Sequence, residues 1–179
     1  MINPKSKIQN LKSKRFIVTI DGPSGVGKST AAKLLAKRLS LTYLDTGATY
    51  RALAYAALSR KVDLADVDCL RRLAGEIRIT MRPSSDGGSR TLLNGRDVTR
   101  HIRTEQITDA TAVIAQYPRV RAAMVRLQRR LARRQPMVAE GRDTGSVVFP
   151  HATYKFFLTA KTSIRAKRRH EELQGVQGR

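Results

Sequence analysis

Gly22-Pro23-Ser24-Gly25-Val26-Gly27-Lys28-Ser29 is the stretch on which the fold turns. Its spacing, G-x-x-x-x-G-K-S, is that of a phosphate-cradling loop. Glycines let backbone N–H groups turn inward onto phosphate oxygens, the lysine reaches the outer phosphates, and the serine hydroxyl can ligate Mg²⁺. The flanks agree. Phe16-Ile17-Val18-Thr19-Ile20 is an apolar, β-branched run of the kind a buried strand requires. Thr30 to Leu39 predicts a helix with Leu34, Leu35 and Leu39 on one face. Strand, glycine loop and helix in that order separate this motif from an ordinary Gly-rich turn. The predicted triphosphate-binding set is Gly22, Pro23, Ser24, Gly25, Val26, Gly27, Lys28, Ser29 and Thr30.

Working outward, Leu41 to Leu44 predicts a second strand ending at Asp45, and Tyr50 to Leu58 a buried helix. Asp63 to Ala74 carries Val67, Leu70 and Leu73 at helical spacing, with Cys69 expected as a small core residue beside them. The period then changes. Ile77, Ile79 and Met81 alternate with Arg78, Thr80 and Arg82, a turn cluster covers 84–89, and Thr91-Leu92-Leu93 returns. Asn94-Gly95 marks a further tight turn, so 76–99 reads as a small antiparallel insert. Helical pattern resumes at Thr104 to Ala115 and again from Pro118, which suits a helix N-terminus. That second helix has an apolar stripe of Val120, Met124, Leu127 and Leu131. Its other face, with Arg119, Arg126, Arg129, Arg130, Arg133 and Arg134, reads as solvated, RNA contact being its alternative use. Met137 to Glu140 and Tyr154 to Leu158 predict two more strands, and Thr162 to Leu173 a last basic helix. Strands alternating with helices predict an α/β fold with a parallel sheet covered on both faces.

The 179 residues suffice for one domain with a sizeable core, expected over 16–179 with a basic disordered arm at 1–15. Thirty-five Lys and Arg stand against 14 Asp and Glu, a net charge of +21, which favours polyanionic ligands or a nucleic-acid surface. One cysteine excludes an intrachain disulfide and fits a reducing, cytoplasmic setting. No apolar run approaches membrane-spanning length, and 1–15 lacks the apolar stretch of a secretory signal.

In parallel sheets, ligands bind outside the carboxyl ends of the strands. Three polar clusters follow predicted strands: the phosphate loop, Asp45-Thr46-Gly47-Ala48-Thr49-Tyr50-Arg51, and Glu140-Gly141-Arg142-Asp143. They are expected to converge on one cleft. Phosphoryl transfer needs two phosphates held in line, their charge neutralised and water kept out. The first cluster suits a donor triphosphate. Arg51 and Arg142 suit an acceptor phosphate, because a guanidinium fork matches phosphate oxygens in pairs. Glu140 closes a strand, where a carboxylate can orient Mg²⁺-bound water.

With these residues in view, the chain resembles the bacterial cytidylate kinases. The likeness rests on 20–29, on Leu44-Asp45-Thr46-Gly47-Ala48-Thr49-Tyr50-Arg51, on Ile102-Arg103-Thr104, on Tyr117-Pro118-Arg119-Val120-Arg121, and on the run from Glu140 to Pro150. It implies a nucleoside monophosphate kinase fold and transfer of a phosphoryl group from ATP to CMP or dCMP with Mg²⁺; separately, a monomer is expected. It implies catalytic roles for Lys28 and Arg142. Acceptor binding would fall to Thr46, Arg51, Arg121, Arg142 and Asp143, donor contacts from a lid to Arg165 and Arg169, and metal ligation to Ser29 and, through water, Glu140. Arg121 and Asp143 would read the cytosine ring. A carboxylate accepts from the N4 amino group, an arginine serves N3 and O2, and uracil presents the wrong pattern to the carboxylate. The insert at 76–99 would enlarge the acceptor site.

Two departures qualify the likeness. Ala112 stands where the family usually has a base-contacting serine, and Thr111 beside it is turned by more than a quarter of a circle. The family also continues past the position of Arg179 into more lid, a further strand and a closing helix. From that follow the expectations of impaired activity and of an exposed apolar edge at Tyr154–Leu158. The alternatives are another small phosphate-loop kinase and a weak or inactive basic nucleotide- or RNA-binding protein.

Overall fold

The computed structural model describes residues 16–84, 88–133 and 136–177, without the side chains of 169, 170 and 172–177. The proposed arm at 1–15 and the tip of the turn cluster at 85–87 lie outside the described residues, as does Arg134.

The chain runs β1 (Ile17–Asp21), α1 (Lys28–Leu39), β2 (Thr42–Asp45), α2 (Thr46–Ser59), α3 (Val67–Glu76), β3 (Ile79–Pro83), β4 (Ser89–Leu93) and β5 (Arg96–Asp97). A short 3₁₀ turn at His101–Arg103 leads into α4 (Glu105–Ile114) and α5 (Pro118–Ala132). Then come β6 (Met137–Gly141), a π-helical turn at Thr144–Val148, β7 (Tyr154–Phe157) and α6 (Thr162–Gln177).

Four strands form a parallel sheet in the order β2-β6-β1-β7, and β3-β4-β5 form a separate antiparallel sheet. The fold is thus the α/β arrangement that the sequence predicts. Val18, Ile20, Val138 and Tyr43 pack with Ala32 and Ala36 of α1 on one face. Leu44, Met137 and Ala139 pack with Val148 and Phe149 on the other. The largest apolar cluster joins α2, α3, α4 and α5, and Ile79, Leu93 and Val98 tie the small sheet to it.

Local chemistry sets several helix starts. Asp45 caps α2 by accepting from the Ala48 N–H at 2.8 Å. Asp66 caps α3 through the Cys69 N–H at 2.8 Å, and Thr104 caps α4 through Ile107. Each carboxylate or hydroxyl satisfies an amide that the first helical turn leaves open. Pro118 occupies the first turn of α5, as expected.

Four expectations need correction. Leu34 is 63 % exposed, because α1 lies against the sheet through Ala32 and Ala36. Two alanines one turn apart allow a close approach, and at about 100° per residue Leu34 then points away from their face. The second helix begins at Thr46 rather than Tyr50, so the cluster from Asp45 to Arg51 forms the cap and opening turns of that helix. Cys69 is only half-buried, since Leu70, Leu73 and Ala74 supply the core side of α3. Arg129 does not belong to a merely solvated face: it is bonded to two backbone carbonyls.

Candidate active site

Register brings the strand-end carboxylates level. Ile20 pairs with Glu140 and Asp21 with Gly141, while Asp45 pairs with Glu140 on the other side. The side chains of Asp45 and Glu140 therefore share a face of the sheet, and the phosphate loop opens directly beyond Asp21.

In that loop Gly25 and Gly27 adopt φ of 77° and 95°, the left-handed region that turns successive amides inward. Lys28 opens α1 and curls back, its ammonium donating to the Pro23 carbonyl at 2.8 Å. Burial lowers the Lys28 pKa and Arg142 lowers it further, against the opposing pull of Glu140, Asp45 and Asp21. Ser29 and Thr30 are exposed at the loop's mouth.

Glu140 is 3 % exposed. Its pKa is raised, chiefly by burial and then by Asp45, while hydrogen bonds from Tyr43 and Ser29 and the charge of Lys28 work the other way. The Tyr43 hydroxyl donates to Glu140 Oε1, and burial holds that phenol protonated. The Glu140 carboxylate and Ser29 hydroxyl thus sit together beside the phosphate loop. These hard oxygens suit Mg²⁺, which usually takes one or two protein ligands and fills its octahedron with phosphates and water. Among the described residues no cluster of three or more His, Cys, Asp or Glu could hold a metal alone.

The expected acceptor residues stand near these groups: Arg51 pairs with Asp45, and the charge of Arg142 acts on Lys28. Arg51 is anchored through Nη2 to Asp45 Oδ2 at 2.8 Å, and its buried Nε has no partner among the described residues. Arg121, in the first turn of α5, pairs through Nη2 with Asp143 Oδ2. Tyr50 of α2 lies close enough that both charges act on its hydroxyl, whose pKa burial raises. Arg142 is exposed and has no hydrogen-bond or ion-pair partner among the described residues, free to take an incoming anion. Thr46 is buried, and its hydroxyl proton is committed to the Glu140 carbonyl at 2.6 Å, which leaves only its lone pairs to offer. Ala112 is exposed on α4, whereas the Thr111 hydroxyl is buried and has no partner among the described residues.

The last helix, α6, seats on the phosphate loop. Arg165 Nε donates to the Ser24 carbonyl at 3.0 Å, and Arg168 Nη1 to those of Val26 and Gly25 at 3.3 and 3.5 Å. A Cβ on Gly25 would lie 2.7 Å from the Arg165 carbonyl oxygen, so only glycine fits beneath the helix. The Arg169 side chain lies outside the described residues.

The family model described as cytidylate kinase matches residues 18–178. The chain belongs to the cytidylate kinase family. It is 47 % identical over 156 residues to a cytidylate kinase of Pelotomaculum thermopropionicum, covering 87 % of this chain and 69 % of that one. It is 49 % identical over 155 residues to the cytidylate kinase of a Geobacillus species, with the same coverage. A Haemophilus influenzae protein named cytidylate kinase 1 is 45 % identical over 165 residues, 91 % of this chain and 71 % of its own.

Reading the sequence residue by residue misses three side chains that tie this region together. Tyr43 stands in the expected second strand, and nothing local marks its bond to Glu140. Asp21 lies between the expected first strand and the phosphate loop, and nothing local marks its two amide partners. Arg129 was one arginine among several on a helix face.

Proposed function

We propose that the protein transfers the γ-phosphoryl group of ATP to CMP or dCMP, giving ADP and CDP or dCDP. The observation that carries this reading is the convergence, beyond three adjacent strand ends, of a phosphate loop with Arg51, Arg142 and the Arg121–Asp143 pair.

An acceptor phosphate oxygen attacks the γ-phosphorus while the bond to the β–γ bridging oxygen breaks and its electron pair leaves on ADP. Loop amides and Lys28 hold the donor phosphates, and Arg51 and Arg142 hold the attacking phosphate in line. Mg²⁺, when bound, would neutralise charge on the β- and γ-phosphates, with the Ser29 hydroxyl as a ligand and Glu140 orienting its waters. Tyr43 keeps the Glu140 carboxylate turned toward Ser29. Asp143 would accept from the cytosine N4 amino group, and Arg121 would serve the ring's acceptors. Both are already aligned by their mutual ion pair, and the base must exchange part of that pairing for its own contacts. Arg165 and Arg168 close the loop from above, and the basic interior makes the cleft attractive to two polyanions at once.

We read the protein as a cytoplasmic monomer. Among the described residues no helix is long and apolar enough to cross a membrane. Assaying CMP, dCMP, UMP, AMP and shikimate as acceptors tests the substrate class, and preference for AMP over CMP would sink the assignment of Asp143. Lys28→Ala lowers kcat for CMP by about 100-fold or more, as loss of a phosphate-directed charge should. Asp143→Asn cuts the preference for CMP over UMP by about tenfold or more, because the amide can donate to the uracil O4.

A further inference from the structure

The π-helical turn that follows Arg142 and Asp143 is gripped at both ends. At its start the two carboxylate oxygens of Asp21 accept from the backbone N–H groups of Thr144 at 2.8 Å and Gly145 at 2.7 Å. At its end Arg129 donates through Nε to the Val148 carbonyl at 2.7 Å and through Nη2 to that of Val147 at 2.9 Å. A carboxylate meets the open amides and a cation meets the open carbonyls, which is the polarity that a helical turn favours at each end.

The two grips come from the two halves of the site. Asp21, 7 % exposed, closes β1 and immediately precedes the phosphate loop. Arg129 stands on α5, about two turns beyond Arg121. The seat is tight: a Cβ on Gly145 would lie 2.6 Å from Thr19 Oγ1 and 3.2 Å from Asp21 Oδ2. The turn therefore rests directly on β1, and the residues just before it, Arg142 and Asp143, are carried by that seat.

We propose that Asp21 and Arg129 are positioning residues that act together, through this turn, to set Arg142 and Asp143 in register with the phosphate loop. The proposal rests on the reading of Arg142 and Asp143 as acceptor-binding groups. Neither Asp21 nor Arg129 needs to touch a nucleotide. In-line transfer is sensitive to placement, and a shift of about 1 Å in a positioning group can cost about 100-fold in rate. Asparagine at 21 could still accept one N–H but would aim its own amino group at the other, leaving a buried donor unmet. Lysine at 129 keeps the charge but cannot fork onto two carbonyls.

The test uses Arg129→Ala, Arg129→Lys, Asp21→Asn, the Asp21→Asn/Arg129→Ala double variant and Arg142→Ala. KM and calorimetric affinity are measured separately for CMP and ATP, with thermal midpoints alongside. Arg129→Ala is expected to weaken CMP binding about tenfold while ATP affinity stays within about twofold, and Arg129→Lys recovers part of the loss. Asp21→Asn weakens CMP similarly. Its ATP affinity is not the criterion, because Asp21 also supports the charge on Lys28. The double variant is no worse for CMP than the weaker single one, since both act through one turn, whereas independent effects would multiply. CMP and ATP affinities that fall together with the thermal midpoint, or losses that multiply, overturn the proposal. If the unaltered protein fails to bind CMP, or Arg142→Ala leaves CMP affinity intact, the reading of the acceptor site falls and takes this proposal with it. If those two controls behave and Arg129→Ala leaves CMP affinity unchanged, this proposal alone is wrong.

Discussion

Glu140 concentrates the tension between stability and function at a single side chain. A buried carboxylate beside Asp45 resists ionisation, yet the proposed role of Glu140 in orienting Mg²⁺-bound water requires its charge. Its pKa in the folded chain lies above the ordinary 4.5, so the native state holds more protons than the unfolded state just above that value. Stability therefore declines as pH rises from 4.5 through the folded-state pKa, and is level beyond it. Lys28 mirrors this at the alkaline end. Its pKa is lowered below 10.5, so its contribution to stability rises as pH climbs from the folded value to 10.5. Glu140→Gln removes the decline on the acid side. Thermal melts taken from about pH 4 to about pH 8 are expected to diverge, the variant becoming the more stable while its phosphoryl transfer falls. Melting curves that stay parallel across that range would contradict the account.

At the scale of elements, β7 is the informative one. It pairs with β1 on one side, and among the described residues no strand lies on its other side. Tyr154, Phe156 and Phe157 are 48 %, 52 % and 67 % exposed, so both its faces and its outer edge offer apolar surface and unpaired amides. Such an edge invites pairing with another chain, and Lys155 is the charge that opposes it. Phe157→Lys is expected to lower light scattering in concentrated, high-salt solution and to leave the thermal midpoint nearly unchanged, as an exposed substitution should. Unaltered scattering would exclude β7 as the sticky edge. Elements of this kind were readable from pattern: β7, the Asn94-Gly95 turn and the Pro118 start all stand where periodicity and turn chemistry put them. The phase of α1 was not, because three leucines outweighed two alanines in the sequence while close packing on the sheet favoured the alanines.

Over the whole molecule, a net charge of +21 must be accommodated on a small surface. In the groove between α3 and α5, Arg71, Arg72, Arg126 and Arg130 gather, with Asp68 beside Arg71 at 3.5 Å and Glu76 of the wall drawn to Arg60 at 3.3 Å. Like charges at such spacing repel in the folded state more than in an expanded chain. Raising monovalent salt from about 10 mM to about 0.15 M shortens the Debye length from about 30 Å to about 8 Å. The thermal midpoint is expected to rise over that range, and a midpoint that falls would mean that favourable ion pairs outweigh the repulsion. ATP should raise it separately, by mass action on the folded state.

By itself, the sequence determined the phosphate loop, the alternation of strands and helices, the small antiparallel insert and the three polar clusters at strand ends. Each is encoded within one or two turns or a few strand residues, through spacing that periodicity and turn chemistry make readable. Only the tertiary structure decided which groups meet. Arg121 finds Asp143, Tyr43 finds Glu140, and Asp21 reaches Thr144 and Gly145 across more than a hundred residues of chain. Those meetings depend on strand order and register, which arise from packing of whole elements against one another. A one-residue slip of β6 would turn Glu140 to the opposite face while leaving every local motif intact.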